Sequence, residues 1–157
     1  MVKVDKSKID SAQTFEELSI VALDVLKKMN ESGEPIVEIC GPISTGGLGS
    51  LEKNLERIKR AIETANKNGL QVFDLIPFES AISRLMIKYP KTDGYCLPIL
   101  DVFYRKIFES GYISRALFLP DWQSSRGATW ERNITKSLNI KIEEYREEWL
   151  EEIDIIR

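Results

Sequence analysis

The feature that most constrains the fold is a strand, loop, helix and strand unit between residues 36 and 76. The apolar run IVEIC is closed by Gly41-Pro42, and its length is typical of a buried strand. Apolar residues then recur at helical spacing from Ser50 until Asn68-Gly69, and a second apolar run follows at residues 72–76. Two strands flanking a helix predict a parallel pair with a right-handed crossover. In such folds, ligands bind at the C-terminal edge of the sheet.

The remaining patterns extend this unit. Thr14 and Glu17 form a capping box before apolar residues at helical spacing, which predicts a helix ahead of the first strand. Residues 78–110 predict two helices around an interrupted loop, and a strand at 112–119, a helix at 126–137, a short strand at 139–142 and a C-terminal helix follow. We therefore predict a three-layer α/β sandwich of the flavodoxin-like or Rossmann-like kind, with a mostly parallel sheet of four or five strands and an extra N-terminal helix.

Length and charge narrow the class of protein. The 157 residues fit one domain, residues 1–157, with residues 1–34 as a helical extension. The net charge of −3 gives no cationic excess for binding a nucleic-acid polymer. The N-terminal segment lacks a signal-peptide core, and no apolar run approaches the ~20 residues that span a bilayer. We expect a cytoplasmic protein without a membrane partner.

The absence of histidine restricts the chemistry. With no His and two Cys, Cys40 and Cys96, neither a zinc site nor a His-dependent triad can be assembled. We expect no metal and no cofactor. Catalysis would then depend on carboxylates, Lys, Tyr, Cys or Ser.

Two loops are the candidate ligand site. GPISTGGLGS joins a strand to a helix, and its backbone amides can approach an anion at Gly41, Pro42, Ile43, Ser44, Gly46 and Gly47. The other interpretation is a flexible connection, because neither GxxxxGK[ST] nor GxGxxG is present. In the second loop, Ser125, Arg126 and Gly127 are potential anion donors, or else form a solvated turn.

Two carboxylates accompany these loops. Glu131 follows Ser125 by six residues on the next predicted helix, which places it beside the loop or leaves it an ordinary surface residue. Glu38 interrupts the apolar first strand. Because an unpaired buried charge is costly, we expect Glu38 either to point from the strand's end into the site or to pair with a Lys or Arg.

These motifs together resemble a known family. The first loop, with Cys40, Gly41, Ile43, Gly46 and Gly47, is similar to a CGxIxxGG motif, and LPDWQSSRGATWE supplies Trp122, Ser125, Gly127 and Glu131. From about residue 36 to residue 134 the chain resembles the nucleoside 2-deoxyribosyltransferase superfamily, which includes the 2′-deoxynucleoside 5′-phosphate N-hydrolases and uncharacterised bacterial and phage relatives.

The resemblance implies roles for individual residues. Glu131 corresponds to the nucleophile that attacks the anomeric carbon of the sugar. Ser125 stands where members that bind 5′-monophosphates carry Ser and those that bind free nucleosides carry Asp. Asp101 is the best match for an acid near the base, and Glu38 replaces a Tyr of active relatives. The relatives also imply a homodimer or higher homo-oligomer.

The resemblance therefore implies cleavage of the N-glycosidic bond of a (deoxy)nucleoside 5′-monophosphate, with hydrolysis preferred to base exchange. The alternatives are a deoxyribosyltransferase acting on free nucleosides, a nucleotide-binding module without turnover, and an assembly protein whose C-terminal helix, with Tyr145 and Trp149, forms a partner surface. Phe78, Tyr89, Tyr95, Phe103 and Tyr104 are candidates for stacking on a base, although aromatic residues are more often core.

Overall fold

The computed structural model describes residues 2–153, so Met1 and residues 154–157 of the predicted domain lie outside the described residues. The elements, in chain order, are α1 (Lys6–Ser11), α2 (Phe15–Asn30), β1 (Ile36–Cys40), α3 (Leu51–Lys67), β2 (Gln71–Val72), α4 (Glu79–Met86), α5 (Arg105–Glu109), β3 (Ile113–Phe118), α6 (Arg126–Ser137), β4 (Lys141–Glu144) and α7 (Glu147–Ile153). Within this part of the chain, no helix is both long and apolar enough to cross a membrane.

The chain forms two compact units, which we describe separately. Met1–Gly33 and Leu75–Tyr112 make up the first, and Glu34–Asp74 and Ile113–Arg157 the second. We call them the helical unit and the sheet unit. The single domain over residues 1–157 stays a prediction.

Among the described residues, the sheet unit contains four strands, all parallel, in the order β2-β1-β3-β4. This is the order of the first four strands of a flavodoxin-like sheet. The crossovers through α3 and α6 lead away from the β1–β3 pair in opposite directions, and right-handed connections therefore place these helices on opposite faces. The predicted α/β sandwich is confirmed, with four strands.

Two strand boundaries differ from the prediction. The run at residues 72–76 forms only Gln71–Val72, extended by one backbone bond from Phe73 N to Val37 O at 2.9 Å. The chain then turns into a 3-10 helix at Ile76–Phe78, because Pro77 has no N–H for a ladder bond. The last strand is Lys141–Glu144 and begins later than predicted, since Asn139, with φ 58°, still belongs to the turn that ends α6.

The helical unit confirms the N-terminal helix α2 and adds α1 before it. Thr14 caps α2 by accepting a hydrogen bond from Glu17 N at 3.1 Å. Phe15 is fully buried, stacks on Tyr89 with ring centroids 4.6 Å apart, and donates its backbone N–H to the Tyr89 hydroxyl at 3.1 Å. Arg84 donates to the carbonyl of Ala12 at 2.8 Å and so ties α4 to the end of α1.

The aromatic residues of the helical unit are mostly core. Phe78 and Phe103 are both buried, with ring centroids 5.9 Å apart, and Tyr104 packs edge-on against Phe103 at 5.0 Å. For these three residues the core interpretation is confirmed, because no ring face is left for a base. A π-helical turn at Ile99–Tyr104 precedes α5.

Candidate active site

The glycine loop after β1 is a fixed turn rather than a flexible connection. Asn54, on the first turns of α3, is 1% exposed. Its amide oxygen accepts from Leu48 N at 2.8 Å, and its amide nitrogen donates to the carbonyls of Ile43 at 3.0 Å and Gly46 at 3.1 Å. One buried side chain therefore satisfies three backbone groups and sets the shape of the loop.

The first loop contacts the second at its two central glycines. Gly47 N donates to Ser124 Oγ at 2.8 Å, and that hydroxyl donates to Asp121 O at 2.7 Å. Gly46 has φ 68°, and a Cβ atom there would overlap the backbone carbonyl of Ser124. Only glycine combines this backbone conformation with so close an approach.

One further contact joins the two loops, and another joins α3 to the second loop. Arg126 N donates to Thr45 Oγ1 at 3.0 Å. Arg57 of α3, whose side chain is 4% exposed, forms an ion pair with Asp121 at 2.7 Å. The two loops that the sequence nominated therefore meet in the sheet unit at the carboxyl ends of β1 and β3, on opposite sides of the point where strand order reverses. Such a switch point is the usual ligand site of open parallel sheets.

The predicted phosphate donors are not equivalent. In the first loop Gly41 and Pro42 are buried, Ile43 is half-buried, and Ser44, Gly46 and Gly47 are exposed. The amide of Gly47 is already engaged with Ser124, and that of Arg126 with Thr45. These two amides hold the loops together, so a ligand would have to be bound by other groups.

Ser125 caps helix α6. Its Oγ accepts from Ala128 N at 3.1 Å, and its residue is only 3% exposed. A hydroxyl that accepts from a backbone amide still has a proton to donate. Gly127 is half-buried on the first turn of α6, and Arg126 is exposed beside it. The N-terminus of this helix carries a partial positive charge, which favours an anion near these residues.

Glu131 lies on the second turn of α6 and is 7% exposed. Burial raises its pKa from 4.5 to about 8, and a hydrogen bond with the Cys40 thiol partly opposes this shift. Glu131 is therefore not the ordinary surface carboxylate of the alternative interpretation. Perturbed pKa values of this kind are common in active sites and uncommon on surfaces.

Glu38 occupies the middle of β1 and is fully buried. Both of its carboxyl oxygens lack a hydrogen-bond partner, and none of the ion pairs of the described residues includes it. Burial, followed by the charges of Glu131 and Asp74, raises its pKa well above the usual value. The expected pairing with a Lys or Arg is therefore wrong, and Glu38 lies in the middle of the strand rather than at its end.

Cys40 completes a buried cluster with these two carboxyls. It is 1% exposed, and burial, with the charges of Glu131 and Glu38, raises its thiol pKa well above the ordinary value. A thiol that keeps its proton is a poor nucleophile. Cys40 therefore acts as a hydrogen-bond donor to Glu131 rather than as a reactive group.

Asp101 does not belong to this cluster. It lies in the helical unit, on the π-helical turn, with a side chain 56% exposed and an ion pair to Arg105 at 3.3 Å. That is the environment of a solvated helix-surface residue. Its proposed part in catalysis rests on the resemblance alone.

Sequence reasoning missed the residues that hold the loops in place. The sequence patterns assigned no role to Asn54, Arg57 or Asp121. A signal was present: Asn54 and Arg57 are polar residues at helical spacing with Ile58 and Ala61, on the buried face of α3. Polar residues on an apolar face need buried partners.

Arg132, next to the predicted nucleophile, also went unnoticed. Its guanidinium lies 4.8 Å from the ring centre of Phe118 and 4.6 Å from that of Trp122, and it bonds Glu144 at 2.8 Å. These cation–π contacts fix Trp122, which the resemblance had placed in the site motif.

Tyr145 and Trp149 are core residues rather than parts of a partner surface. Tyr145 and Trp149 are 4% and 6% exposed, and the Tyr145 hydroxyl donates to Ala61 O of α3 at 3.0 Å. These two side chains therefore form no docking surface, because Tyr145 bonds α3 directly and Trp149 lies on α7, which packs against α3. A partner surface on the exposed acidic side of α7 stays a prediction.

Comparisons with known proteins give no assignment. No family model matches the chain. No curated protein matches it, and no solved structure does. The similarity to the nucleoside 2-deoxyribosyltransferase superfamily therefore rests on the two loop motifs and stays a prediction.

Proposed function

We propose that the protein is a cytoplasmic N-glycosidase that cleaves (deoxy)nucleoside 5′-monophosphates. The sugar is bound covalently, as an ester of the Glu131 carboxyl, between the two steps of the reaction. The observation that carries this proposal is the position of Glu131, a nearly buried carboxyl one turn behind two loops that are joined to each other. The partner is a small nucleotide, and the resemblance further implies a homodimer, which light scattering of the purified protein tests.

The reaction needs one nucleophile and one water molecule. A Glu131 oxygen attacks the anomeric carbon, the bond from that carbon to the base nitrogen breaks, and the base leaves with the electron pair and takes a proton. Water then attacks the same carbon, which releases the sugar 5-phosphate, returns Glu131 to a carboxylate and frees a proton. Two-step displacement by a carboxylate is the usual route of retaining glycosidases.

The loops support a phosphate-bearing substrate. Ser125 at the N-cap and Gly127 on the first turn of α6 lie where a helix attracts anions, and the exposed Arg126 adds a positive charge. An Asp in place of Ser125 would repel phosphate. These features favour a nucleoside monophosphate over a free nucleoside.

The roles of the other acids differ in support. Asp101 is a candidate to protonate the leaving base on the resemblance alone. Glu38 is too deeply buried to touch a substrate and would act only through its neighbours.

Base release tests the proposal. Purified protein is incubated with ribo- and deoxyribonucleoside monophosphates, with and without a competing free base, and the products are separated by chromatography. We expect release from wild type, loss of release in Glu131→Gln and full release in Glu148→Gln, which alters an exposed carboxylate. Exchange that depends on added base would make the protein a transferase, and absence of release from every nucleotide rejects the proposal.

A binding module without turnover is the second candidate, and one observation favours it. Burial raises the pKa of Glu131 to about 8, so most of the protein has a neutral Glu131 at pH 7, and a neutral carboxyl is a weak nucleophile. Nucleotide binding by calorimetry without base release, at pH 7 and also above pH 8, would select this function.

A further inference from the structure

The unpartnered carboxyl of Glu38 needs a physical explanation. It lies at the centre of a strand whose five residues are all buried, and neither of its oxygens is hydrogen-bonded. An ionised carboxylate in such a place, without a cation, would cost several kcal/mol or more. Unsatisfied buried groups of this kind are rare in folded proteins and are found at functional sites.

The groups around Glu38 are acidic or apolar. Along β1, Cys40 is two residues ahead and so lies on the same face of the sheet as Glu38. On β3 the register partner is Ala116. Glu131 of α6 and the exposed Asp74 after β2 both act on Glu38 as like charges.

The charges that act on Glu38 include no cation. Arg132 lies on α6 beside Glu131 and contributes electrostatically to Cys40. Its guanidinium, however, stacks on Phe118 and Trp122 and bonds Glu144. Glu38 therefore has no compensating charge among residues 2–153, and it can lower its cost only by keeping its proton.

Two neighbouring carboxyls of this kind hold only one negative charge between them. Glu131 is 7% exposed and Glu38 is 0% exposed, so Glu131 loses less hydration on ionising. Glu131 also accepts a hydrogen bond from the Cys40 thiol, whereas Glu38 accepts none. Both differences direct the single charge to Glu131.

We propose that Glu38 is a positioning residue that keeps its proton and acts through Glu131, so that the first negative charge the buried cluster gains as the pH rises is on Glu131. The catalytic importance of Glu38 rests on the proposed function, whereas the placement of the charge does not. A strand residue that cannot touch substrate would thereby fix the charge state of the group that can.

Carboxyl titration by NMR tests the proposal without any assay of activity. Protein labelled with 13C at the glutamate side-chain carboxyl is titrated from about pH 5 to pH 10, and the two signals are assigned with Glu38→Gln and Glu131→Gln. In wild type we expect Glu131 to ionise first. Glu131→Gln removes the neighbouring charge and should lower the midpoint of Glu38 by about one unit or more.

The reverse substitution should behave differently. Glu38→Gln replaces a neutral group by a neutral amide, so the midpoint of Glu131 should move by less than about half a unit. Glu148→Gln, at an exposed site, should move neither midpoint. Thermal melts of all variants confirm that each is folded before its titration is interpreted.

Two results would overturn the proposal. One is a fall of about one unit or more in the Glu131 midpoint on Glu38→Gln, since Glu38 would then have carried charge first. The other is a Glu38 midpoint that Glu131→Gln leaves unchanged. If the two variants shift the midpoints as expected but no nucleotide releases its base, the charge placement is retained and only the glycosidase proposal is rejected.

Discussion

At the scale of single residues, the charge of Glu131 should control turnover. In the proposed reaction only the carboxylate of Glu131 attacks the sugar, and burial raises the pKa of Glu131 to about 8. We therefore expect kcat/KM for base release to increase as the pH rises towards about 8 and then to level off, since this ratio reports ionisation of the free enzyme. Initial rates across this range measure it, and a plateau already reached below pH 6 would contradict the assignment.

A second residue-scale prediction concerns Gly46. Gly46→Ala imposes a left-handed backbone on alanine and places its Cβ against the Ser124 carbonyl, so we expect a loss of about 1–3 kcal/mol in the free energy of unfolding. Gly49→Ala is the matched control, because Gly49 has φ 92° but open space around its Cβ position. Urea denaturation measures both. Equal losses would show that the close approach of the loops has no energetic importance.

At the scale of elements, α3 is the helix that positions both loops. Asn54 holds the first loop, and Arg57 holds the second through Asp121. The two side chains lie three residues apart and so share one helix face. A change on α3 should therefore alter ligand binding at loops that carry no substitution.

Arg57→Met tests this arrangement. It leaves Asp121 without its partner, and since the Asp121 side chain is 33% exposed, water replaces part of the lost interaction. We expect a loss of about 1–3 kcal/mol in the free energy of unfolding and weaker nucleotide binding. Arg60→Met is the control, because Arg60 pairs with Glu56 at the surface at 3.4 Å and should cost less than about 1 kcal/mol. Similar losses in the two variants, measured by urea denaturation, would contradict a buried role for Arg57.

At the scale of the whole molecule, buried carboxyls link folding to pH. Burial raises the pKa of Glu131 to about 8 and that of Glu79 to about 7, and that of Glu38 is also raised. The folded chain therefore binds more protons than the unfolded chain above the ordinary glutamate pKa of 4.5. The stability that these extra protons give the folded chain is fully present below pH 4.5 and is lost as the pH rises through the folded pKa values.

Denaturation at a series of pH values measures this linkage. We expect the free energy of unfolding to fall between about pH 5 and pH 8, and Glu131→Gln to make that fall shallower by up to about 1.4 kcal/mol per pH unit. Glu148→Gln should leave the slope unchanged, because Glu148 is exposed. A slope that Glu131→Gln does not alter would place the proton uptake on other groups.

Local patterns were sufficient for most of the elements. Thr14, Ser50 and Ser125 are N-caps that each begin a helix. The turn residues before β1 end α2, and those after α3 end α3. The parallel sheet followed from the strand, helix and strand order, since such a connection has only one common handedness. Short strands were less predictable, because the length of β2 depends on the strand with which it pairs. An apolar run in the sequence does not specify that strand.

The sequence by itself determined the α/β fold, the two loops and the place of Glu131, because these depend on periodicity, capping and chain order, which act over a few residues. Only the tertiary structure decided that Glu38 is buried without a partner, that Asn54 and Arg57 hold the loops, and that Tyr145 and Trp149 pack as core. Each of these depends on which groups distant in sequence come into contact. Burial and the pairing of charges are properties of those contacts, and a linear pattern does not contain them.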